Sequence, residues 1–329
     1  MDRNVVDFRL APDDLSAIRF GVSPGHELCH AVRVLQRPAE HPLQWGWLRT
    51  VRDRVPREPF DLLALLIGVD GYFPDFLTAT PGWDLTPADE GARLREVPLG
   101  PLGVDLGKMV DRSEGARRAA LLRMREQPAR TRALVADAWT DVWDALLAPV
   151  WPQLERLLRA DIAVRARRVT SEGLAGMARG LHPAVTWHGD GVRVLLRKHG
   201  EVLDCRGSGL VLVPSVMNGH GCSVLTEPPA QPTLFYPALG VTAAWARDPG
   251  SSADALGALV GPARAGILLA AHHPRTTSQV AADHALAAST ASHHLRVLRE
   301  AGLVASTRDG ARVLHVRTPL GEAVVGGSL

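Results

Sequence analysis

The sequence predicts an α+β chain in two parts: a mostly helical N-terminal domain with a small antiparallel sheet, then a smaller C-terminal domain of helices and a hairpin. Three observations carry this expectation. Apolar residues recur at helical spacing through much of residues 12–185. Short β-rich runs divided by glycine follow over 190–240. The stretch ARDPGSSADA, residues 246–255, favours an exposed connection, and a last segment with its own pattern follows it. The expected division is 1–245, a linker at 246–254, and 255–329.

The bulk numbers narrow the class. A chain of 329 residues suits two or three domains. With 46 % hydrophobic and 22 % charged residues it has the make-up of a soluble globular protein, not a disordered one. No run of apolar residues is long enough to span a membrane. The start, MDRNVVDFRLAPDDL, carries acids and lacks the apolar core of a signal peptide. Cys29, Cys205 and Cys222 are odd in number and fit no C-x-x-C pattern, so they read as reduced thiols in a cytoplasmic protein. Net charge is +2, and its placement matters more than its size. From residue 251 onward there are seven Arg against five Asp or Glu, so the excess lies in the C-terminal segment.

Within the first domain, ELCHAVRVL (27–35), DLLALLIG (61–68) and ARRAALLRMRE (116–126) place apolar residues on one helical stripe. Residues 132–169 continue that spacing, and Pro149 and Pro152 must kink or break it. VRVLLR, EVLDC and GLVLV, within 192–213, read as strands of the small sheet. PTLFYPALG (232–240) reads as an edge segment, limited by its prolines.

The last 75 residues are the most informative. GPARAGILLAA (261–271) reads as a helix with Pro262 in its first turn. Thr276 and Gln279 fit a capping box, so a second helix begins there. STASHHLRVLREAG (289–302) follows, with Ala291, Leu295 and Leu298 on one stripe and Ser289, Ser292, His293 and Arg296 on the other. Gly302 can end that helix. LVAST and ARVLHVR then form a hairpin around Asp309-Gly310, and TPLGEAVVG closes as a short helix. Helix, turn, helix and a two-stranded wing make a winged helix-turn-helix. Its second helix can enter a major groove, with Ser289, Thr290, Ser292, His293 and Arg296 near base edges. Arg308 and Arg312 at the wing are placed to meet phosphates.

These residues carry a resemblance. ALGALVGPARAGILLAA, VAADHALAASTASHHLRVLREAGLV and the DG hairpin resemble the ArsR-type bacterial transcriptional regulators over about residues 253–325. The region before them, especially GLVLVPS and LFYPALG, resembles an uncharacterised domain joined to such winged helices in actinobacterial regulators. The sequence departs from the family in three ways. Ala285 stands where the family often has a turn Gly. Ala287 stands where it often has a capping Ser, so the recognition helix is expected to start later, near Ser289. The stretches that bind metals in many members, here TTSQVAADH and TPLGEAVVG, hold no Cys. The second holds only Glu322 as a plausible ligand, so this departure from the family points to a signal other than a metal.

Other motifs compete for attention. HELCH, residues 26–30, has the H-E-x-x-H spacing of zinc peptidases. The extended metzincin pattern fails at Arg33 and Gln36, and no suitable third ligand follows. The expectation is a partly exposed helix without metal, packed through Leu28, Ala31, Val32 and Leu35. Trp139 and Trp143, four apart, read as core or as the wall of a pocket for a small lipophilic effector. Arg156, Arg159, Arg165, Arg167 and Arg168 read as a solvated basic face, or as a surface that touches phosphates flanking the DNA site.

The expected function is a homodimeric, sequence-specific DNA-binding transcriptional regulator, more often a repressor, responsive to a small organic effector. No catalytic residue, cofactor or metal is expected. The alternatives are a regulator whose N-terminal domain binds a partner protein and, behind it, a zinc peptidase using HELCH.

Overall fold

The computed structural model describes residues 4–69, 71–72, 74–78, 80–196, 199–219, 221–227, 230–241, 256–272, 274–310 and 312–326. The chain divides into two compact units, Met1–Trp245 and Ala246–Leu329. The expected linker, 246–254, lies outside the described residues.

Unit 1 begins with two strands, β1 (Val5–Arg9) and β2 (Ile18–Phe20). Among the described residues eight α-helices follow: α1 (Pro24–Gln36), α2 (Trp45–Val51), α3 (Arg57–Ile67), α4 (Pro87–Glu96), α5 (Leu99–Asp111), α6 (Gly115–Glu126), α7 (Pro128–Leu146) and α8 (Trp151–Leu181). The break at Pro149 and Pro152 is where the sequence puts it. A second break falls inside α8, at Gly173, whose φ of 69° and ψ of 179° interrupt the helix. A side chain at that φ is strained, which is why glycine stands there. The strands β3 (Val185–His188), β4 (Gly191–Leu195), β5 (Glu201–Asp204), β6 (Leu210–Ser215), β7 (Ser223–Leu225) and β8 (Thr233–Pro237) complete the unit.

The class is α+β, but the β region is larger than one small antiparallel sheet. It forms two four-stranded mixed sheets, each recruiting a strand from the first twenty residues. One has the order β3-β4-β1-β5, with β1 antiparallel to β4 and parallel to β5. The other has the order β2-β6-β8-β7, in which β2, β6 and β8 are parallel. In β1 the side chains alternate, with Val6 and Phe8 buried. β6, LVLVPS, is buried at every position, as a central parallel strand requires. β8 lies between β6 and β7, not at an edge. Pro232 precedes the strand and Pro237 ends it, so the ladder N–H groups between them are intact.

Unit 1 has one apolar core among its helices, including Leu28, Leu63, Leu102, Val142 and Leu154. A second lies at the sheets, where Val6, Phe8, Val194 and Leu212 meet Met177 and Leu181 from the end of α8.

In unit 2, residues 256–260 are helical. Then come α9 (Pro262–Ala270), β9 (Arg275–Thr276), α10 (Thr277–Asp283), α11 (Ala288–Glu300), β10 (Val304–Asp309), β11 (Arg312–Arg317) and α12 (Pro319–Gly326). The wing has three strands in the order β10-β11-β9, one more than the sequence suggested. Ile267, Leu268, Val280, Ala291, Leu295, Leu298 and Val304 form the core of this unit.

Candidate nucleic-acid interface

The candidate interface centres on α11. Ala291, Leu295 and Leu298 recur at helical spacing and are at most 2 % exposed, which fixes the face turned to the core. Gly302, at φ 72°, ends the helix. Its N–H donates to the Arg299 carbonyl and the Leu303 N–H to the Leu298 carbonyl, both at 2.9 Å, the paired return that a left-handed glycine permits. The start differs by one residue from expectation. Ala287 is the N-cap and supplies no side-chain hydrogen bond, yet helix begins at Ala288. The core contact of Ala291 holds the first turn without a cap.

Upstream, the capping box stands as the sequence predicts. The Thr276 hydroxyl accepts from the Gln279 N–H at 3.2 Å, and the Gln279 side chain accepts from the Thr276 N–H at 2.8 Å. Between α10 and α11 the chain turns at Ala285, whose φ of 51° is a left-handed conformation at a non-glycine residue.

Ser289, Thr290, Ser292, His293 and Arg296 are all exposed, and so is Arg299. Ser289, Ser292, His293 and Arg296 share the stripe opposite the buried one, with Thr290 on its flank. Arg296 Nη2 lies 3.1 Å from His293 Nδ1. A guanidinium only donates, so Nδ1 accepts and the ring proton sits on Nε2, leaving a second donor on the same stripe. His294 is half-buried. Desolvation, then Arg264 and His293, push its pKa down, which suits a packed neutral ring. In the wing, Arg308 is exposed and its Nε donates to the Gly310 carbonyl at 3.3 Å. Arg312 opens β11 as the register partner of Asp309, and Gly310 takes the turn at φ 58°. Hydroxyls, an imidazole and a guanidinium on one exposed helical stripe are groups that pair with base edges in a major groove.

His315, absent from the sequence-based set, is buried on β11 and touches two hydroxyls of neighbouring elements. No periodicity marks it; only the strand register does.

The remaining sequence candidates are in unit 1. Trp139 and Trp143 are 2 % and 6 % exposed. They stack with centroids 5.3 Å apart and planes 2° apart, and Trp151 meets Trp143 edge-on. They are part of the helical core, and Trp139 Nε1 is buried with no hydrogen-bond partner among the described residues. The arginine run is not one solvated face. Arg156 and Arg167 are exposed. Arg159 lies over Trp83 at 4.8 Å and pairs with Glu155 at 2.7 Å. Arg165 is buried and pairs with Asp161 at 3.4 Å.

HELCH is also buried, not partly exposed. His26, Glu27 and His30 are 1 %, 1 % and 6 % exposed. His26 stacks on Phe235 with centroids 3.6 Å apart. The Glu27 carboxyl accepts the N–H groups of Val216 and Met217, each at 2.9 Å. A Glu bound in this way is not placed to activate a water for hydrolysis. Burial pushes both imidazole pKa values well down, favouring neutral rings. Among the described residues no group of three or more His, Cys, Asp or Glu is placed to hold a metal ion. No described helix is long and apolar enough to cross a membrane.

A short helix, a turn, an exposed second helix and a three-stranded wing define a DNA-binding winged helix-turn-helix, so the class of the protein is that of a transcriptional regulator. Comparison with known families agrees: residues 262–306 match the bacterial regulatory protein, arsR family, and residues 108–241 match a family of unknown function, DUF5937. The C-terminal unit therefore carries a segment similar to the ArsR-family helix-turn-helix, and a segment similar to DUF5937 lies before it. No curated protein and no solved structure matches the chain.

Proposed function

We propose that the protein is a homodimeric, sequence-specific repressor whose N-terminal unit answers a small organic effector. In this reading Ser289, Thr290, Ser292, His293 and Arg296 approach base edges, and Arg308 and Arg312 approach phosphates. The observation that carries it is the division of α11 into a buried stripe and an exposed stripe of short polar groups with one guanidinium. Winged-helix dimers read half-sites about 34–36 Å apart on one face of the duplex. Leu259 and Leu320, 78 % and 45 % exposed in unit 2, supply apolar surface suited to a second copy.

Two features support an effector. Unit 1 carries its own cores and far more chain than DNA reading needs. It also buries the indole N–H of Trp139 with no acceptor among the described residues, a donor that an incoming polar group would satisfy. Because Trp139 and Trp143 are packed, an effector reaching them must bind a minor, opened state.

The test is selection of genomic fragments by the intact protein, followed by affinity measurements across salt and the mass of the protein in solution. The expected result is a palindromic preference, a steep salt dependence and a dimer. DNA release by metabolites, absent with cell proteins alone, is expected if the effector is a small molecule. A protein that shows no preference among sequences overturns the reading.

A further inference from the structure

One buried polar side chain of unit 2 bridges two other elements. His315 is 6 % exposed on β11. The register sets it opposite Ser306 of β10 and Arg275 of β9. Its Nδ1 lies 2.8 Å from Ser306 Oγ, and its Nε2 lies 3.1 Å from Thr277 Oγ1, at the first residue of α10. An apolar residue would fill this strand position without a desolvation cost, so the ring is a costly choice that its two hydrogen bonds offset. Burial, then the nearby Arg299, hold its pKa down. The neutral ring has one donor and one acceptor nitrogen, and each hydroxyl can serve either role.

We infer that His315 is a positioning residue for DNA recognition: by bridging Ser306 and Thr277 it fixes the wing, and with it Arg308, against the helix pair that carries the reading stripe. This rests on the reading of unit 2 given above. Arg308 lies two residues beyond Ser306 on the same strand. Any rotation of the hairpin released at Ser306 therefore displaces the guanidinium from its phosphate. The stripe on α11 is anchored separately, through Ala291, Leu295 and Leu298. Loss of the bridge should weaken binding through the wing and leave base preference intact.

The experiment uses the full chain and the duplex found by selection, with affinity measured across a range of salt. His315→Leu keeps an apolar filling and removes both bonds; Ser306→Ala and Thr277→Val remove one each. His315→Leu is expected to bind about tenfold more weakly, with the salt slope lowered by about one, and with the same base preferences as the wild type. In combination with Arg308→Ala the losses are expected not to add, because both act on one phosphate contact. Full additivity, or folded variants with unchanged affinity and slope, overturns the inference. If His315→Leu fails to fold, Ser306→Ala and Thr277→Val carry the same cycle with Arg308→Ala. A wild-type protein without DNA affinity overturns the underlying reading as well, whereas wild-type selectivity with an unaltered His315→Leu overturns this inference alone.

Discussion

The Glu27 carboxyl on α1 accepts the backbone N–H groups of Val216 and Met217, each at 2.9 Å, just past the end of β6. It ties the first helix of unit 1 to its most buried strand. Burial raises the Glu27 pKa to about 7, against the hydrogen bonds from Ser215, Val216 and Met217, which favour the anion. A folded pKa above the unfolded one means that the folded state holds the proton more tightly. This contribution is full below the unfolded pKa of 4.5 and is lost as pH rises through about 7. Glu27→Gln has no such term and leaves one backbone N–H facing an amide donor, at a cost of about 1–3 kcal/mol. The stability difference, wild type minus variant, is expected to fall by about 1.4 kcal/mol per pH unit between those limits and then level off. Denaturant unfolding from pH 4.5 to 8 measures it; a difference independent of pH would refute it.

Two alanines in the helix-turn-helix are expected to be improvable. Ala285 sits at φ 51°, where a Cβ is strained. Ala285→Gly should stabilise unit 2 by about 0.5–1 kcal/mol net of the added flexibility of the unfolded chain. Ala287 caps α11 without a side-chain bond, and Ala287→Ser should add about 1 kcal/mol. Thermal melts of the two variants check both, and a lowered Tm in either contradicts the turn geometry.

Two buried indoles should answer the same substitution differently. Trp47 Nε1 donates to the Leu146 carbonyl at 3.1 Å, whereas Trp139 Nε1 has no partner among the described residues. Both phenylalanine variants lose ring volume, a comparable cost at each site. Trp47→Phe also strands a buried carbonyl, so it should be the more destabilising by about 1–2 kcal/mol. Equal losses in urea unfolding would argue against the difference.

For the interface, Arg296→Ala is expected to relax selectivity by about 1–3 kcal/mol at one base position. Arg308→Ala should weaken binding to every sequence and lower the salt slope by about one. Selection followed by titration across salt separates the two. Interchanged effects would mean that helix and wing have swapped roles.

Unit 2 was legible because its signals are local. The capping box at Thr276, Gly302 after α11 and the Asp309-Gly310 turn each act within a few residues. The two-residue strand β9 and the role of His315 were not, since both depend on pairing with β11. In unit 1 the helices α1, α3 and α6, and the run of α7 and α8 with its break at Pro149 and Pro152, were readable, whereas α2, α4 and α5 were not. The burial of HELCH was not: its covers, Phe235, Val216 and Met217, lie about 190 residues or more away and leave no trace in the local pattern. The interior place of β8 was hidden for the same reason, because prolines at both ends suggest an edge until its neighbours are known.

The pairing of β1 with β5 and of β2 with β6 has a consequence for biosynthesis. Ile18 meets Leu210, and Phe8 meets Leu203, so each early strand must stay unpaired on these sides while roughly 190 further residues emerge from the ribosome. Apolar groups such as Val6 and Phe8 are exposed to chaperones during that wait, and deletion of the first twenty residues would remove one strand from each sheet at once.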